Sequence, residues 1–163
     1  MYFKRLWIIA VLFAVLVIPV SASVVSFLLV ETGLRDGAPE TQYTSLWEDG
    51  LMNAFFDAGH VVTNSLITRM ERRPERDLTG IIEVDFREAA SGGAEFFILG
   101  FLDYRTQEGR LVPSDIVVKI YRTSSQQIVY EQRFQAGTGR NLNEESLLAK
   151  NTGRVIISHL FAR

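Results

Sequence analysis

The chain has 163 residues, of which 17 are basic (Lys and Arg) and 19 are acidic, and it contains no cysteine. A mildly acidic chain is poorly suited to nucleic-acid phosphates, so we expect no nucleic-acid partner. The lack of cysteine excludes disulfide bonds, thiol nucleophiles and the acylated cysteine of a lipoprotein. The length suits a single domain built around one hydrophobic core.

The first thirty residues are the most apolar part of the chain. Lys4 and Arg5 precede a run without charges over residues 6–30. Because about 20 apolar residues can cross a bilayer as a helix, one interpretation is an uncleaved inner-membrane anchor over residues 6–30. Its basic end would stay in the cytoplasm, and the rest of the chain would act outside as a membrane-tethered scaffold.

A signal peptide over residues 1–22 is the second interpretation of this segment. Small residues at and before Ala22 suit signal peptidase, and Pro19 ends the apolar helix just before that site. Cleavage after Ala22 leaves residues 23–163 as a periplasmic domain of 141 residues with a net charge of −4. We favour this interpretation, and both interpretations place the domain outside the cytoplasm.

Strong periodic patterns follow in the first half of the domain. Residues 24–30 are apolar and rich in β-branched side chains, which predicts a buried strand. Ser45 and Glu48 form a capping box that predicts the start of a helix. One apolar stripe then follows at helical spacing: Trp47, Leu51, Ala54, Phe55 and Ala58. Residues 60–64 predict a short strand after this helix.

The middle of the chain has weaker patterns. Residues 65–77 are rich in charges at their end and contain Pro74, which prevents one continuous helix. This segment therefore predicts a solvated connection. Residues 78–91 predict a helix by their apolar spacing, although a strand over residues 80–86 fits as well. Residues 96–102 are apolar on both alternating faces, which is typical of a central strand covered on both sides.

The last third of the domain begins with a hairpin. Residues 116–121 and 128–134 alternate between apolar and polar side chains across a short polar turn. Asn141 and Glu144 then form a second capping box, which predicts a closing helix. The predicted order is β-α-β-(α)-β-β-β-α. We therefore expect an α/β (α+β) single domain in which helices pack on a mixed sheet of about five strands.

Three segments of this pattern resemble a known group of domains: residues 51–62, 89–100 and 116–130. The chain resembles the periplasmic α/β domains of the curli-secretion channel subunit, the lipoprotein activators of penicillin-binding proteins and the amino-terminal domain of the Tol β-propeller protein. An early strand comes first in that group, and residues 24–30 would take its place. The resemblance implies a non-catalytic domain that binds envelope proteins during assembly or maintenance of the cell envelope.

Few residues of this chain are suited to catalysis. The two histidines, His60 and His159, lack the spacing of a metal site, and no serine lies in a nucleophile motif. We therefore expect neither an enzyme nor a bound metal or cofactor. The carboxylates Glu83, Asp85 and Glu88 fit a solvated helix face. A small-ligand or glycan-binding domain, or a carboxylate-based hydrolase, is the alternative if two or more of these carboxylates and histidines converge in a pocket.

Binding to another protein is the favoured role, and two surfaces are candidates. Tyr104 and Arg105 follow the central strand, where ligands of open α/β sheets bind, although Tyr104 alternatively closes the core. Lys119, Glu131 and Arg133 share the more polar face of the hairpin, whose edge is able to accept a strand from a partner. The expected partner is an unidentified envelope protein, and the sequence leaves the oligomeric state open.

A third candidate site is the loop before the closing helix. Gly137 and Gly139 precede Arg140, and main-chain N–H groups at the start of a helix can hold an anion. A loop that needs flexible glycines explains the same residues equally well. The sequence therefore offers an anion site here as a hypothesis.

Overall fold

The computed structural model describes residues 22–34 and 42–161. The described residues form six strands: β1 (Val24–Thr32), β2 (Val61–Asn64), β3 (Thr68–Met70), β4 (Phe96–Gln107), β5 (Arg110–Arg122) and β6 (Gln127–Gln135). They also form three helices: α1 (Gln42–Asp57), α2 (Gly80–Ser91) and α3 (Leu142–Leu160). None of these helices is long and apolar enough to span a bilayer.

All six strands belong to one sheet. Its order is β2-β1-β4-β5-β6, and the short β3 also pairs with β1. β1 runs parallel to β2, β3 and β4, whereas β4, β5 and β6 form an antiparallel meander. α1 and α3 cover one face and α2 covers the other. The predicted α/β class with a mixed sheet and packed helices is confirmed.

β1 lies inside the sheet, between β4 on one edge and β2 with β3 on the other. Every residue from Val25 to Thr32 is buried, because both faces of the strand are covered. The buried strand predicted for residues 24–30 is therefore confirmed. The remaining part of the predicted signal peptide or anchor lies within residues 1–21, which are outside the described ranges.

β4 is the middle strand, as the sequence predicts, and a separate core lies on each of its faces. The larger core lies under α1 and α3 and includes Val25, Phe27, Leu29, Trp47, Leu51, Phe55, Ile98, Leu102, Ile116, Val118 and Ile156. The smaller core lies under α2 and consists of Leu28, Val30, Ile82, Phe86, Phe97, Leu99, Phe101 and Tyr121. This arrangement explains why residues 96–102 lack any polar alternation.

Glycines allow α1 and α3 to pack closely over the larger core. A Cβ atom on Gly50 would lie 2.5 Å from the Cβ atom of Ala149, and one on Gly153 would lie 2.6 Å from that of Ala54. Both distances are far below van der Waals contact. The separation of the two helices therefore depends on the absence of side chains at these two positions.

The predicted start of α1 is wrong. The helix already includes Gln42, so Ser45 lies within it and is exposed. The carboxylate of Glu48 instead accepts a hydrogen bond from Nδ2 of Asn64 at 3.2 Å, which ties the helix to the end of β2. The apolar stripe is correct through Phe55, but Ala58 follows the helix and is exposed.

The two later helices agree better with the sequence. α3 begins as predicted, because Oδ1 of Asn141 accepts a hydrogen bond from the N–H of Glu144 at 3.0 Å. α2 resolves the two interpretations of residues 78–91 in favour of a helix. Its side chains Ile82 and Phe86 are buried one turn apart, as an amphipathic helix on a sheet requires.

The connection between β2 and α2 contains β3, which the sequence pattern does not predict. Thr68 pairs with Val30 of β1, and the next two residues continue the register. Arg69 adds an ion pair with the buried Glu31, with 2.7 Å between Nη2 and Oε2. Three residues are too few for a periodic pattern, so the strand is defined by its partner rather than by its own sequence.

Candidate functional site

A groove lies between α2 and the connection from β2 to β3. It has a volume of about 520 Å³ and is lined by Asn64, Ser65, Leu66, Thr68, Ile81, Asp85 and Glu88. A smaller cavity of about 220 Å³ shares Asn64, Ser65 and Glu88 with it and reaches Ser26 of β1. The two cavities together follow one side of α2.

The amphipathic sequence of α2 determines what this groove presents. Because Ile82 and Phe86 point into the smaller core, the alternate side of the helix carries Ile81, Asp85 and Glu88 toward the groove. Ile81 remains 48% exposed. Across the groove Leu66 is 91% exposed, the largest exposed fraction among the apolar side chains of the described chain. The groove therefore has an exposed apolar side chain on each wall and carboxylates on the wall formed by α2.

The surroundings of Asp85 in the groove shift its pKa. Burial raises the pKa of Asp85, the hydroxyl of Ser65 lowers it by hydrogen bonding, and the charge of Glu88 raises it again. The net shift is upward, so Asp85 holds its proton more tightly than an ordinary aspartate. A positively charged group placed in the groove would oppose this upward shift and would be attracted by both carboxylates.

The other candidates for chemistry do not join this groove. His60 is buried at the end of α1, where it stacks on Phe161 at 4.3 Å between ring centroids, and burial lowers its pKa. His159 lies on α3 near Tyr130, on the face of the sheet away from the groove. Glu83 pairs with Arg87 along α2. Within residues 22–34 and 42–161, no group of three or more His, Asp or Glu side chains is placed to hold a metal ion.

Tyr104 is not available as a surface residue. Its side chain is 6% exposed and its hydroxyl lies 2.7 Å from Oγ1 of Thr44 in α1. Sequence reasoning placed it beyond the strand end, but β4 continues to Gln107 and turns directly into β5. Tyr104 therefore closes the larger core, and the adjacent Arg105 is exposed on the strand.

Lys119, Glu131 and Arg133 do share one face of the sheet. Nζ of Lys119 lies 2.8 Å from Oδ2 of Asp77, and this side chain is only 18% exposed. Glu131 and Arg133 are 50% and 62% exposed on the edge strand β6. The structure therefore retains the two β6 residues as a candidate surface and places Lys119 in an internal ion pair.

Sequence reasoning missed a pair of aspartates on the same face. Asp103 and Asp115 lie opposite each other on β4 and β5, and Arg73 forms ion pairs with both. Burial raises the pKa of Asp115, and the charge of Asp103 raises it further. The available signal was the alternation of residues 115, 117 and 119 along β5, which places Asp115 on the face of Lys119.

The loop at Gly137 and Gly139 holds a carboxylate from its own chain. The N–H of Gly137 donates to Oε1 of Glu145 at 2.7 Å, and the N–H of Gly139 donates to Oε2 at 2.9 Å. Nε1 of Trp47 donates to Oε1 at 2.7 Å, while Arg140 pairs with Glu144. The hypothesis of an external anion here is corrected, because the buried Glu145 already occupies these donors.

Comparisons by sequence give no relatives. No protein-family model matches this chain, and no curated protein matches its sequence.

Comparison of folds finds solved structures with a similar arrangement. The PelC dodecamer from Paraburkholderia phytofirmans is 15% identical, with a TM-score of 0.49 over 87% of this chain and 89% of that chain. The LpoB C-terminal domain from Salmonella enterica is 13% identical, with a TM-score of 0.44 over 78% and 93%. TolB from Acinetobacter baumannii is 11% identical, with a TM-score of 0.41 over 87% and 29%.

LpoB and TolB belong to the group of domains that the sequence was found to resemble. The recognition of that group is thus confirmed at the level of the neighbours found. Identities of 11–15% concern the fold alone, and TM-scores below 0.5 support no conclusion about binding or activity.

Proposed function

We propose that this chain is a non-catalytic, exported domain that binds another protein of the cell envelope. The observation that carries the proposal is the pair of exposed apolar side chains that line the groove, Leu66 at 91% and Ile81 at 48% exposure, together with the carboxylates Asp85 and Glu88. Exposed apolar patches bordered by polar side chains are typical of protein-binding surfaces.

The charge of the groove indicates the chemistry of its partner. Asp85 and Glu88 line it together, and the chain without its first 22 residues has a net charge of −4. A partner segment with one or two apolar anchors beside a lysine or arginine would bury Leu66 and neutralise the carboxylates. Such a contact needs no bound metal or nucleophile.

Site-specific photo-cross-linking tests this proposal. A photoreactive side chain at Leu66, in the full chain expressed in its native envelope, is expected to capture one defined protein. Leu147 on α3 is the matched control, because it is an exposed leucine (56%) on the other helix layer. Leu66→Asp should reduce capture from a neighbouring position, whereas Leu147→Asp should not. Equal capture at both positions, or none at Leu66, would refute the groove as the binding surface.

The export step rests on the first 30 residues and has a separate test. Basic residues followed by an apolar run support either a cleaved signal peptide over residues 1–22 or an uncleaved anchor, which would have to end before β1 begins at Val24. Amino-terminal sequencing of the protein from envelope fractions distinguishes them. A new terminus at Ser23 favours a periplasmic domain, and an intact Met1 favours a membrane-tethered scaffold.

A small-ligand or glycan-binding role is the second candidate, because Asp85 and Glu88 do converge in one groove. Two carboxylates in a cleft can bind sugar hydroxyls or serve as acid and base. Titration calorimetry of the chain with cell-wall saccharides tests this role. Loss of binding in Asp85→Asn with retention in Leu66→Asp would favour a glycan, and the reverse pattern would favour a protein partner.

A further inference from the structure

We propose that β6 pairs edge to edge with β6 of a second copy of this chain, antiparallel and with Gln132 opposite the same residue of the other copy. In the described part of the chain, β6 is the last strand of the sheet and pairs with β5 alone. A strand edge offers regularly spaced N–H and C=O groups that another strand can bond. This surface is separate from the groove, so the inference stands independently of the proposed function.

The second half of β6 is regular and has no net charge. The register between β5 and β6 shifts at Tyr121, which leaves Val129 in a bulge, and is continuous from Tyr130 to Gln135. Strands that avoid edge pairing commonly carry a lysine, a proline or a bulge. Residues 130–135 contain no lysine, proline or register shift, and Glu131 and Arg133 cancel each other's charge.

Main-chain geometry restricts how two copies of this strand can pair. In an antiparallel pair, opposite residues both direct their N–H and C=O groups toward the partner strand or both away from it. A strand and its copy can therefore be centred on one residue but not between two. Centring on Gln132 places Glu131 of each copy opposite Arg133 of the other. Centring on residue 131 or 133 places like charges opposite each other, which is unfavourable.

The charges on β5 extend this complementarity. Within one copy, Nη1 of Arg133 lies 3.1 Å from Oδ1 of Asp115, and Oε1 of Glu131 lies 3.5 Å from Nζ of Lys119. Across the interface between the two copies, the ion pair of Asp115 and Arg133 in one copy would lie beside the ion pair of Glu131 and Lys119 in the other. These four side chains form a row of alternating negative and positive charges. The two-fold axis that relates the copies produces a second, identical row.

On the other face of the paired β6 strands, the facing side chains are aromatic. The same register places Tyr130 of each copy opposite Phe134 of the other, and both side chains are partly buried against the larger core. Opposed aromatic residues on neighbouring strands attract each other. Charge matching on one face and aromatic matching on the other thus select the same register.

Charge reversal tests the pairing in solution. The full chain in mild detergent is expected to sediment as two copies. Either Glu131→Arg or Arg133→Glu alone should weaken association roughly tenfold, since two attractive pairs become repulsive. Mixing the two variants should restore association as a mixed pair, because each supplies the charges that the other needs. Thermal unfolding of each variant checks that the monomer remains folded.

A single cysteine tests the register. Because the natural chain has no cysteine, Gln132→Cys should form a disulfide with its own copy under mild oxidation, since opposite residues bring their Cβ atoms to about 5 Å. Gln135→Cys is the matched control on the same strand, and it would face Val129 instead. Cross-linking at position 132 that exceeds the control supports the register.

Several results would overturn this inference. A native chain that remains a single copy at concentrations of about 100 µM contradicts it. So does association that neither charge variant weakens, because pairing would then involve another part of the chain. Equal disulfide yields at positions 132 and 135 contradict the register. Capture of a different protein at position 132 in the envelope would assign the edge to that partner.

Discussion

At the scale of single residues, the most constrained side chain is Glu145. It is fully buried, and its carboxylate accepts hydrogen bonds from Nε1 of Trp47 and the N–H groups of Gly137 and Gly139. One side chain thus connects α1, the loop after β6 and the first turn of α3. A buried carboxylate is tolerated here because three donors face it.

We predict that Glu145→Ala lowers the free energy of unfolding by about 3 kcal/mol, since it leaves three donors without an acceptor. Glu145→Gln should lower the free energy of unfolding less, because the amide oxygen still accepts hydrogen bonds. Some loss should remain, since the amide nitrogen would face a donor that now lacks an acceptor. Urea denaturation measures both. Glu144→Ala is the matched control, because its carboxylate is 39% exposed and bonds Arg140. Equal effects at the two positions would show that the buried network contributes little.

Asp115 is the residue for which a pH effect is expected. Burial and the nearby Asp103 raise its pKa above the ordinary value of 3.8. The folded state therefore holds this proton more tightly than the unfolded state, and stability from this group is lost as the pH rises through the raised pKa. The ion pairs with Arg73 and Arg133 reduce this loss without reversing it.

We predict that Asp115→Asn gains stability relative to the natural chain as the pH rises from 4 toward neutrality. Asp57 is the control of opposite sign, because its ion pair with Lys150 lowers its pKa. Asp57→Asn should lose stability relative to the natural chain as the pH rises toward about 4, because the lowered pKa places the titration of Asp57 below the ordinary value of 3.8. Thermal unfolding at a series of pH values follows both differences. A difference for Asp115→Asn that does not change with pH would contradict the assigned cause.

At the scale of the elements, the sequence predicts those whose own residues determine them. α1 and α2 carry apolar stripes, and residues 24–30 and 96–102 are apolar on both faces because each strand lies between two helix layers. β3 was not predictable, since three residues pair with β1 only after the chain has folded back. Tyr104 was misplaced for a similar reason: the length of β4 depends on its pairing with β5.

The candidate site shows the same division. The carboxylates Asp85 and Glu88 were identified from sequence, but their convergence with Leu66 depends on the path of the chain between β2 and β3. The pairing of Asp103 with Asp115 depends on the register of β4 and β5, including its shift near Asp103. Glycine loops suggested an anion site, yet the sequence alone did not indicate that Glu145 would fill it.

The contact between α1 and α3 gives the prediction for this scale. Because alanine has a higher helix propensity than glycine, Gly153→Ala would by itself stabilise α3 by up to about 1 kcal/mol. Its new Cβ atom would lie 2.6 Å from the Cβ atom of Ala54, so the helices must separate over the larger core. We expect a net loss of about 1–2 kcal/mol, as is typical for overpacking.

Asn151→Ala is the matched control for this contact, because it replaces an exposed residue of the same helix. It should leave stability nearly unchanged or raise it slightly. Urea denaturation of both variants gives the comparison. A Gly153→Ala variant as stable as the natural chain would mean that the two helices can move apart without loss of core packing.

At the scale of the whole molecule, the sheet separates protected strands from accessible ones. β1 and β4 are paired on both edges and covered on both faces, so we expect their buried amides to exchange with solvent only when the whole fold opens. β6 forms one edge and is largely exposed, and the short β2 and β3 form the other. The two proposed binding surfaces lie at these opposite edges.

We predict that hydrogen exchange divides the sheet in the same way. The amides of residues 25–31 and 97–102 should exchange slowest, with a common free energy equal to that of global unfolding, because no smaller opening exposes them. Amides of β2 and β3 should exchange much faster, since breaking a few edge bonds suffices. Mass spectrometry of peptic fragments across a time course measures this order. If residues 25–31 exchanged as fast as the edge strands, β1 would not be the centre of the fold, and the groove beside its partners would lack the rigid support that a binding surface needs.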